Sequence, residues 1–407
     1  MECGLLGRTL GHSYSPEIHR QLGDYSYRLF EVEPENLRSF LENGSFQGLN
    51  VTIPYKKEVI PYLQELSPAA KKLGAVNTIV RRPDGSLLGH NTDYFGFQTM
   101  VHHSGISPKG KKALVLGSGG ASAMAVEALS DLGAHVVVIS RKGENNYDNL
   151  EKHKDAALIV NATPVGMYPH TGVSNLDLSL FDRLEGVLDL IYNPARTRLL
   201  LDAEKRGCRT ENGLLMLVAQ AWESAQWFTG ASIPRDKITE IHSLMKNQME
   251  NIILLGMPGC GKTTVGKLLA EKLQKTFVDA DAQLEKAFGP ITEIFQKEGE
   301  AGFREKETRI LSEIGKQSSL VIATGGGCVT RKENYDLLHQ NGDIFLIHRD
   351  LNLLPSDGRP LSQQAGIENL YRERKSLYEA FADYSVDNNG SPQAAVQQII
   401  SLREEKS

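Results

Sequence analysis

Apolar stretches of strand length alternate with amphipathic stretches of helix length along most of the chain. Apolar runs bounded by turn residues predict buried strands, and apolar residues three or four positions apart predict helices. This alternation is typical of α/β domains. The predicted strands are Arg28–Val32, Gly48–Val51, Ala113–Gly117, His135–Ser140, Leu158–Asn161, Val187–Leu190, Asn251–Gly256, Leu320–Thr324 and Asp343–His348. The predicted helices are Pro34–Glu42, Ser122–Leu132, Arg196–Arg206, Leu214–Phe228, Lys262–Lys272 and Glu368–Phe381.

Two of the predicted strands end in a glycine-rich turn that leads directly into a helix, one at Gly117 and one at Gly256. The two turns follow different patterns, so they predict two separate nucleotide sites. A polar, helix-like stretch from Ser232 to Glu250 lies between them. We therefore place a domain boundary near Gln248–Glu250, without a flexible tether.

The first turn fits the pattern G-x-G-x-x-G/A, except that Ser122 holds the third glycine position. Backbone N–H groups of such a turn meet a pyrophosphate at a helix N-terminus. The next strand ends at Ser140-Arg141, where an NAD site usually carries an acidic residue. Because a guanidinium pairs well with a 2′-phosphate, Arg141 favours NADP over NAD. The alternative is a solvated basic turn.

The second turn fits G-x-x-x-x-G-K-[ST] without exception, after a strand and before a helix. Such a loop cradles phosphates with its amides. Lys262 is expected to reach the β and γ oxygens, and the Thr263 hydroxyl suits Mg²⁺. The nucleotide-binding residues predicted here are Gly259, Cys260, Gly261, Lys262, Thr263 and Thr264.

Acidic and basic side chains follow this loop in an order that narrows the chemistry. Asp279 and Asp281 are two positions apart, which predicts that both lie on one side of a strand end. One carboxylate would then attend the metal and the other an attacking hydroxyl. Arg304 and Arg374 are candidate carboxylate clamps, although exposed helix charges are the ordinary alternative.

Polar segments before the first turn carry the groups needed to hold a small polyhydroxylated acid. They contain hydroxyls, amides, Lys56 and Asp93. Each segment alone is also compatible with turn chemistry, and Asp93 is a candidate cap for a helix over Tyr94–Val101. The segments are Gly11–Pro16, Asn50–Lys56, Gly74–Thr78 and Gly89–Asp93.

Composition limits the function classes. Hydrophobic residues make up 40% and charged residues 23%, as in ordinary globular proteins. A net charge of −5 and a pI near 6.2 give no general attraction to nucleic acid or acidic membranes. The four cysteines are far apart, which argues against a disulfide framework or a zinc site. Because we find no signal peptide or membrane span, we expect a cytoplasmic protein.

The ordered motifs from about Gly4 to Thr229 closely resemble shikimate dehydrogenase. They are the four polar segments, the first glycine turn, Asn161–Met167, Asp189–Pro194 and the pattern that begins at Gly213 and includes Met216, Gln220 and Ala221. The resemblance implies reversible reduction of 3-dehydroshikimate by NADPH, with Lys56 and Asp93 as the catalytic pair. It implies substrate contacts by Ser13, Ser15, Thr52, Asn77, Asp93, Tyr192 and Gln220. It places around NADP the residues Gly117, Ser118, Gly119, Gly120, Ala121, Ser122, Ser140, Arg141, Leu190 and Gly213.

The motifs from about Asn251 to Tyr384 resemble shikimate kinase, through the phosphate loop, Asp279-Ala280-Asp281, Gly302–Glu305, Thr324–Gly327, Arg359–Leu361 and Arg374 with Tyr378. The resemblance implies that Asp281 binds the shikimate hydroxyls and orients or deprotonates the attacking one. It implies that Arg304, Gly326 and Arg374 hold the substrate, and that Arg359 reaches ATP from a lid. Thr263 and Asp279 are the predicted Mg²⁺ residues.

We therefore predict a bifunctional α/β chain that reduces 3-dehydroshikimate and then phosphorylates shikimate, using NADP(H), ATP and Mg²⁺, with no nucleic-acid or membrane partner. The predicted domains are a substrate domain (1–105 and 214–247), a Rossmann NADP domain (106–213) and a P-loop domain like nucleoside monophosphate kinases (251–407). One alternative is a dehydrogenase that prefers quinate and NAD. Another is that one module senses a ligand without turnover.

Overall fold

The structure, a computed structural model, describes residues 1–11, 13–354 and 366–406. The chain divides into two compact units. Unit 1 consists of Met1–Pro164, Asn175–Tyr192 and Asp202–Met245, and unit 2 of Val165–Ser174, Asn193–Leu201 and Lys246–Ser407. The three-domain division drawn from the sequence differs from this one, because it assigns 165–174 and 193–201 to the Rossmann domain whereas they belong to unit 2. The three-domain division stays a prediction.

Unit 1 contains two sheets. The first is mixed, with the strand order β2-β1-β3-β5-β6-β4, and the second is wholly parallel, with the order β11-β10-β9-β7-β8. The strands of the first sheet are β1 (Glu2–Gly7), β2 (Ser26–Glu31), β3 (Gly48–Val51), β4 (Glu65–Leu66), β5 (Thr78–Arg81) and β6 (Leu87–His90). Those of the second sheet are β7 (Lys112–Leu116), β8 (His135–Ile139), β9 (Leu158–Asn161), β10 (Gly186–Asp189) and β11 (Arg209–Glu211).

Unit 2 contains one parallel sheet with the order β13-β14-β12-β15-β16. Every residue of its central strand β12 is buried, which explains the continuous apolar run in the sequence. The strands are β12 (Asn251–Leu255), β13 (Thr276–Asp279), β14 (Leu320–Ala323), β15 (Gly342–His348) and β16 (Tyr384–Asp387).

The α-helices fill the intervals between the strands. In chain order they are α1 (Ser15–Arg20), α2 (Leu37–Asn43), α3 (Pro68–Leu73), α4 (Asp93–His103), α5 (Gly120–Asp131), α6 (Arg198–Lys205), α7 (Leu214–Thr229), α8 (Asp236–Met249), α9 (Lys262–Leu273), α10 (Ala280–Phe288), α11 (Ile291–Gly315), α12 (Glu333–His339), α13 (Ile367–Phe381) and α14 (Pro392–Lys406). No helix in the described ranges combines the length and the apolar composition needed to cross a bilayer.

The predicted α/β class is confirmed, and most predicted elements are present within two residues of their predicted ends. The region predicted as a single helix from Pro34 begins instead with a 3-10 turn, Pro34–Asn36, followed by α2. The predicted boundary coincides with the end of α8 at Met249 and the start of β12 at Asn251. Each glycine turn follows the carboxyl end of a parallel strand, the first after β7 and the second after β12.

Candidate active sites

Unit 1 contains a cavity of about 320 Å³ between its two sheets. All the residues predicted to contact the substrate line this cavity, although they come from widely separated parts of the sequence. They are Ser13, Ser15, Thr52, Lys56, Asn77, Asp93, Tyr192 and Gln220.

Lys56 and Asp93 form an ion pair in this cavity. Lys56 Nζ lies 2.6 Å from Asp93 Oδ2, and the two side chains are 34% and 17% exposed. Asp93 is the first residue of α4, and its N–H donates to Asn91 Oδ1 at 3.1 Å. Its carboxylate faces Lys56 rather than capping the helix, so the capping alternative is not supported.

A buried network of hydroxyl and amide groups fixes the wall next to this pair. Asn77 Oδ1 accepts the Thr92 N–H at 2.7 Å, and Asn77 Nδ2 donates to Thr92 Oγ1 at 3.0 Å. The Ser224 hydroxyl lies 3.0 Å from the Thr92 hydroxyl and 2.9 Å from that of Thr78. Because Thr92 directly precedes Asp93, this network fixes the backbone from which the Asp93 carboxylate extends.

The opposite wall presents hydroxyls. The Ser15 N–H donates to Ser13 Oγ at 3.2 Å at the start of α1, so the two serines lie close together. The rings of Tyr14 and Tyr192 meet edge to face, 6.2 Å apart. Burial, with a smaller contribution from Tyr14, raises the pKa of Tyr192, which keeps its hydroxyl protonated and able to donate.

The turn from Gly117 to Ser122 links β7 to α5. Gly117 has a φ of +110°, which favours glycine. The Ser122 hydroxyl is buried and donates to the Gly117 carbonyl at 2.7 Å, so the serine in the third glycine position braces the turn. A Cβ at Gly119 or Gly120 would meet no atom within 4 Å. The turn is therefore an open cradle that fits a pyrophosphate.

The neighbouring strand ends carry the rest of the predicted cofactor residues. Arg141 follows β8, is exposed and forms no ion pair within the described ranges. Ser140 is held by a hydrogen bond from its N–H to the Asn145 carbonyl at 3.2 Å. A Cβ at Gly213 would overlap the Leu190 carbonyl, so only glycine permits this close approach.

In unit 2 the loop after β12 has the geometry of a phosphate cradle. Gly256, Gly259 and Gly261 have φ values of +143°, +84° and +101°, and α9 begins at Lys262. Lys262 Nζ donates to the carbonyls of Gly256 and Met257 at 2.9 and 3.0 Å. The lysine thus lies folded over its own loop, close to where phosphate oxygens would bind.

The first residues of α9 complete this loop. Thr263 and Thr264 are exposed toward a cavity of about 490 Å³, which they line. Cys260 is buried, and its sulfur lies 3.8 Å from Lys262 Nζ.

Asp279 and Asp281 both line this cavity, but the structure corrects how they are placed. β13 ends at Asp279, and Asp281 lies in the first turn of α10. Asp279 is the N-cap of that helix, because its Oδ1 accepts the N–H groups of Asp281 and Ala282. Its other oxygen, Oδ2, accepts from Thr263 Oγ1 at 3.0 Å. Both carboxylates therefore face one cavity at the strand end, but the alternation of a strand, from which this was predicted, is the wrong reason, because the strand ends at Asp279.

The surroundings of Asp281 change its affinity for a proton. Burial, and next the charge of Asp279, raise the pKa of Asp281, while Lys262 and Arg304 oppose the rise. A carboxylate that holds protons more tightly than usual is a better proton acceptor when ionised.

Arg304 is buried in this cavity and held by two carboxylates. Its Nη1 donates to Glu307 Oε2 at 2.7 Å and its Nη2 to Glu300 Oε1 at 3.2 Å. A Cβ at Gly327 would overlap the Arg304 guanidinium, and one at Gly325 would lie 2.5 Å from Glu307 Oε1. Gly325 and Gly327 therefore leave the space that these side chains occupy.

Arg374 reaches the same cavity from α13. Its Nη1 donates to the Gly326 carbonyl at 3.1 Å, and the Tyr378 hydroxyl donates to the same oxygen. A Cβ at Gly326 would lie 2.7 Å from Pro258 of the phosphate loop. The predicted lid residue Arg359 lies outside the described residues.

Comparisons with known proteins decide the family. The family model of the shikimate dehydrogenase substrate binding domain matches residues 5–79. A protein of Dehalococcoides mccartyi named shikimate dehydrogenase (NADP(+)) is 40% identical over 262 residues, which cover 57% of this chain and 91% of the relative. The chain belongs to the shikimate dehydrogenase family. The family model of shikimate kinase matches residues 258–403.

Solved structures agree with the dehydrogenase fold of unit 1. A chorismate mutase/shikimate 5-dehydrogenase fusion protein from Clostridium acetobutylicum is 38% identical with a TM-score of 0.57, covering 60% of this chain and 97% of that one. A quinate dehydrogenase from Corynebacterium glutamicum in complex with NAD is 29% identical with a TM-score of 0.55, covering 60% and 98%. The resemblances to both families are confirmed. The chain is a bifunctional shikimate-pathway enzyme with a shikimate dehydrogenase part and a shikimate kinase domain.

Several residues that shape the two sites were not assigned a role from the sequence. In the dehydrogenase part these are Thr92 and Ser224, and in the kinase domain Glu307. Ser224 lies four residues after Gln220 and Glu307 three residues after Arg304, so each is on the same helix face as a predicted residue. This helical spacing is the sequence feature from which their place near the sites could have been predicted.

Proposed function

We propose that the dehydrogenase part reduces 3-dehydroshikimate to shikimate with NADPH, reversibly. The observation that carries this proposal is the ion pair of Lys56 and Asp93, 2.6 Å apart in a cavity lined by hydroxyl and amide groups. The named relative, a shikimate dehydrogenase (NADP(+)), supports the same reaction.

A bound nicotinamide supplies the hydride that converts the ketone to an alcohol. The chain's own residues then manage one proton. Lys56 Nζ lies within hydrogen-bond reach of its partner and is placed to give a proton to the developing alkoxide, or to take it back in reverse. Asp93 orients the ammonium, and the network through Asn77 and Thr92 holds Asp93 in place.

We assign the cofactor as NADP(H) because of the charge at the end of β8. The fold alone does not choose, since the quinate dehydrogenase in complex with NAD shares it. Arg141 is exposed two residues after the end of β8, which pairs with β7, the strand that leads into the glycine turn, and its planar guanidinium suits a 2′-phosphate. An NAD-preferring site would favour a carboxylate there.

The kinase domain, in this proposal, transfers the γ-phosphoryl group of ATP to the 3-hydroxyl of shikimate. Arg304 and Arg374 bind the substrate carboxylate. Asp281 accepts the hydroxyl proton as the oxygen attacks phosphorus, and ADP leaves from the phosphate loop. Lys262 neutralises charge on the β and γ oxygens.

The residues present also fit Mg²⁺. Thr263 Oγ1 and Asp279 Oδ2 are hard oxygen donors 3.0 Å apart, next to the phosphate loop. No group of three or more His, Cys, Asp or Glu side chains in the described ranges forms a metal site. Mg²⁺ is normally bound by one or two protein ligands together with nucleotide phosphates, and it withdraws charge from them.

The domain boundaries, the absence of nucleic-acid and membrane partners and the cytoplasmic location remain predictions. We propose that the substrate and Rossmann domains form the dehydrogenase and that 251–407 form the kinase.

Single-site variants test the two activities separately. Lys56→Ala should abolish reduction of 3-dehydroshikimate, followed by NADPH absorbance, and leave phosphorylation of shikimate intact. Asp281→Ala should have the opposite effect. Loss of both activities in either folded variant would contradict two independent sites.

A further inference from the structure

Arg349 lies directly after β15 on a backbone that is fixed on both sides. The His348 carbonyl accepts the Asn388 N–H at 2.8 Å, and the Asp350 N–H donates to Asn389 Oδ1 at 2.8 Å. The carboxyl ends of β15 and β16 are therefore joined at this point. No sequence motif assigned a role to Arg349.

The guanidinium of Arg349 lies beside the phosphate loop. A Cβ built at Gly261 would lie 3.9 Å from Arg349 Nη1. The same loop is braced by Asn388, which is 1% exposed and whose Nδ2 donates to the Cys260 carbonyl at 2.7 Å. Arg349 thus brings a positive charge next to the residue that precedes Lys262 at the start of α9.

Among the residues that the structure describes, Arg349 forms no ion pair. Its Nε is buried and has no hydrogen-bond partner within the described ranges. The carboxylates that share its cavity, of about 400 Å³, are engaged elsewhere. Asp383 Oδ2 accepts the Ile344 N–H at 2.7 Å, and Glu379 lies 4.0 Å from Lys375. A buried donor without a partner needs another explanation.

We propose that Arg349 binds the phosphates of the nucleotide held by the loop from Gly256 to Gly261. The loop and the N-terminus of α9 direct N–H groups at phosphate oxygens, and a guanidinium beside them adds two further donors in a plane. Nη1 lies 3.9 Å from the Cβ position of Gly261, the residue before Lys262, which favours a contact with phosphate over one with the base. This inference rests on the proposed use of ATP by the kinase domain.

The test compares Arg349→Met with Arg372→Met in the full chain. Arg372 is an exposed arginine on α13 that has no described ion pair, so it controls for the loss of a positive charge. We expect Arg349→Met to raise the KM for ATP about 10- to 100-fold, the range of one charge-assisted hydrogen bond, with the KM for shikimate little changed. Arg349→Lys should recover part of the loss.

Adenosine as a competitive inhibitor separates phosphate from base. Its inhibition constant should be the same in wild type and Arg349→Met. An equal loss for adenosine and ATP, or a KM for ATP within twofold of wild type, would overturn the proposal. Dehydrogenase activity and the melting curve report folding of each variant. If the wild type does not phosphorylate shikimate, the proposed function is wrong. The role of Arg349 can then still be tested by calorimetry, by comparing the binding of MgADP to the wild type and to Arg349→Met.

Discussion

Replacing Gly327 by alanine should displace Arg304 without changing any charge. Gly327 has a φ of −110°, which alanine adopts without strain. Its new Cβ would nevertheless overlap the Arg304 guanidinium, with Nη1 2.5 Å away and both Cζ and Nη2 closer still. Because ordinary contacts are about 3.5 Å or more, the guanidinium must move by more than about 1 Å. It is buried and held at 2.7 Å by Glu307, so such a shift breaks the present geometry.

This displacement should change both the stability of the protein and its kinase activity. Overpacking costs about 1–3 kcal/mol of unfolding free energy, and more if the Glu307 carboxylate is left buried and unpaired. Loss of one charge-assisted hydrogen bond to the substrate carboxylate corresponds to about 1.5–3 kcal/mol, or roughly a 10- to 100-fold fall in kcat/KM for shikimate. The KM for ATP should change little.

The assay couples ADP formation to NADH oxidation, with dehydrogenase activity of the same chain as a measure of intact protein. Gly390→Ala is the matched control, because a Cβ there meets no atom within 4 Å. A Gly327→Ala variant with wild-type KM for shikimate and wild-type stability would refute the role given to Arg304.

Three further predictions concern the remaining charged residues. Asp93→Asn should lower kcat for reduction of 3-dehydroshikimate about 10²- to 10⁴-fold, because Lys56 loses the carboxylate that orients it. The rate is followed by NADPH absorbance, and an unchanged kcat would contradict a role for Asp93 in the reaction. Arg141→Ser should raise the KM for NADPH about tenfold or more and leave that for NADH nearly unchanged, in initial-rate assays with both cofactors; an equal effect on both would contradict 2′-phosphate binding. Since burial raises the pKa of Asp281, kinase activity should be lost as the pH falls through that raised pKa, because the carboxylate can then no longer accept a proton. Above the raised pKa, the buried ionised carboxylate should lower the free energy of unfolding. Asp281→Asn should therefore melt higher at pH 7 while losing kinase activity, and a lower melting temperature would contradict the sign.

Contiguous motifs were the part of both sites that could be predicted from the sequence. The loop from Gly256 to Thr263 and the turn from Gly117 to Ser122 are each built from one stretch of chain, so their spacing determines their local geometry. The buried strand β12 was equally clear, because a central parallel strand is apolar on both faces.

Contacts between distant segments could not be predicted in the same way. Ser224 meets Thr78 and Thr92 only after α7 packs beside the first sheet, and no local pattern records that packing. The element that carries Asp281 was predicted wrongly, because the two-residue rule assumes that a strand continues. The side chain of Asp279 instead caps α10 and ends the strand.

The most direct test of the account is conversion in one vessel. Purified protein is given 3-dehydroshikimate, NADPH and MgATP, and products are identified by mass spectrometry. We expect shikimate 3-phosphate, with one NADPH oxidised and one ADP formed for each molecule. Shikimate should accumulate when ATP is left out, and 3-dehydroshikimate should stay unchanged when NADPH is left out. Consumption of 3-dehydroshikimate without shikimate 3-phosphate, by protein whose two units are folded, would contradict the bifunctional assignment.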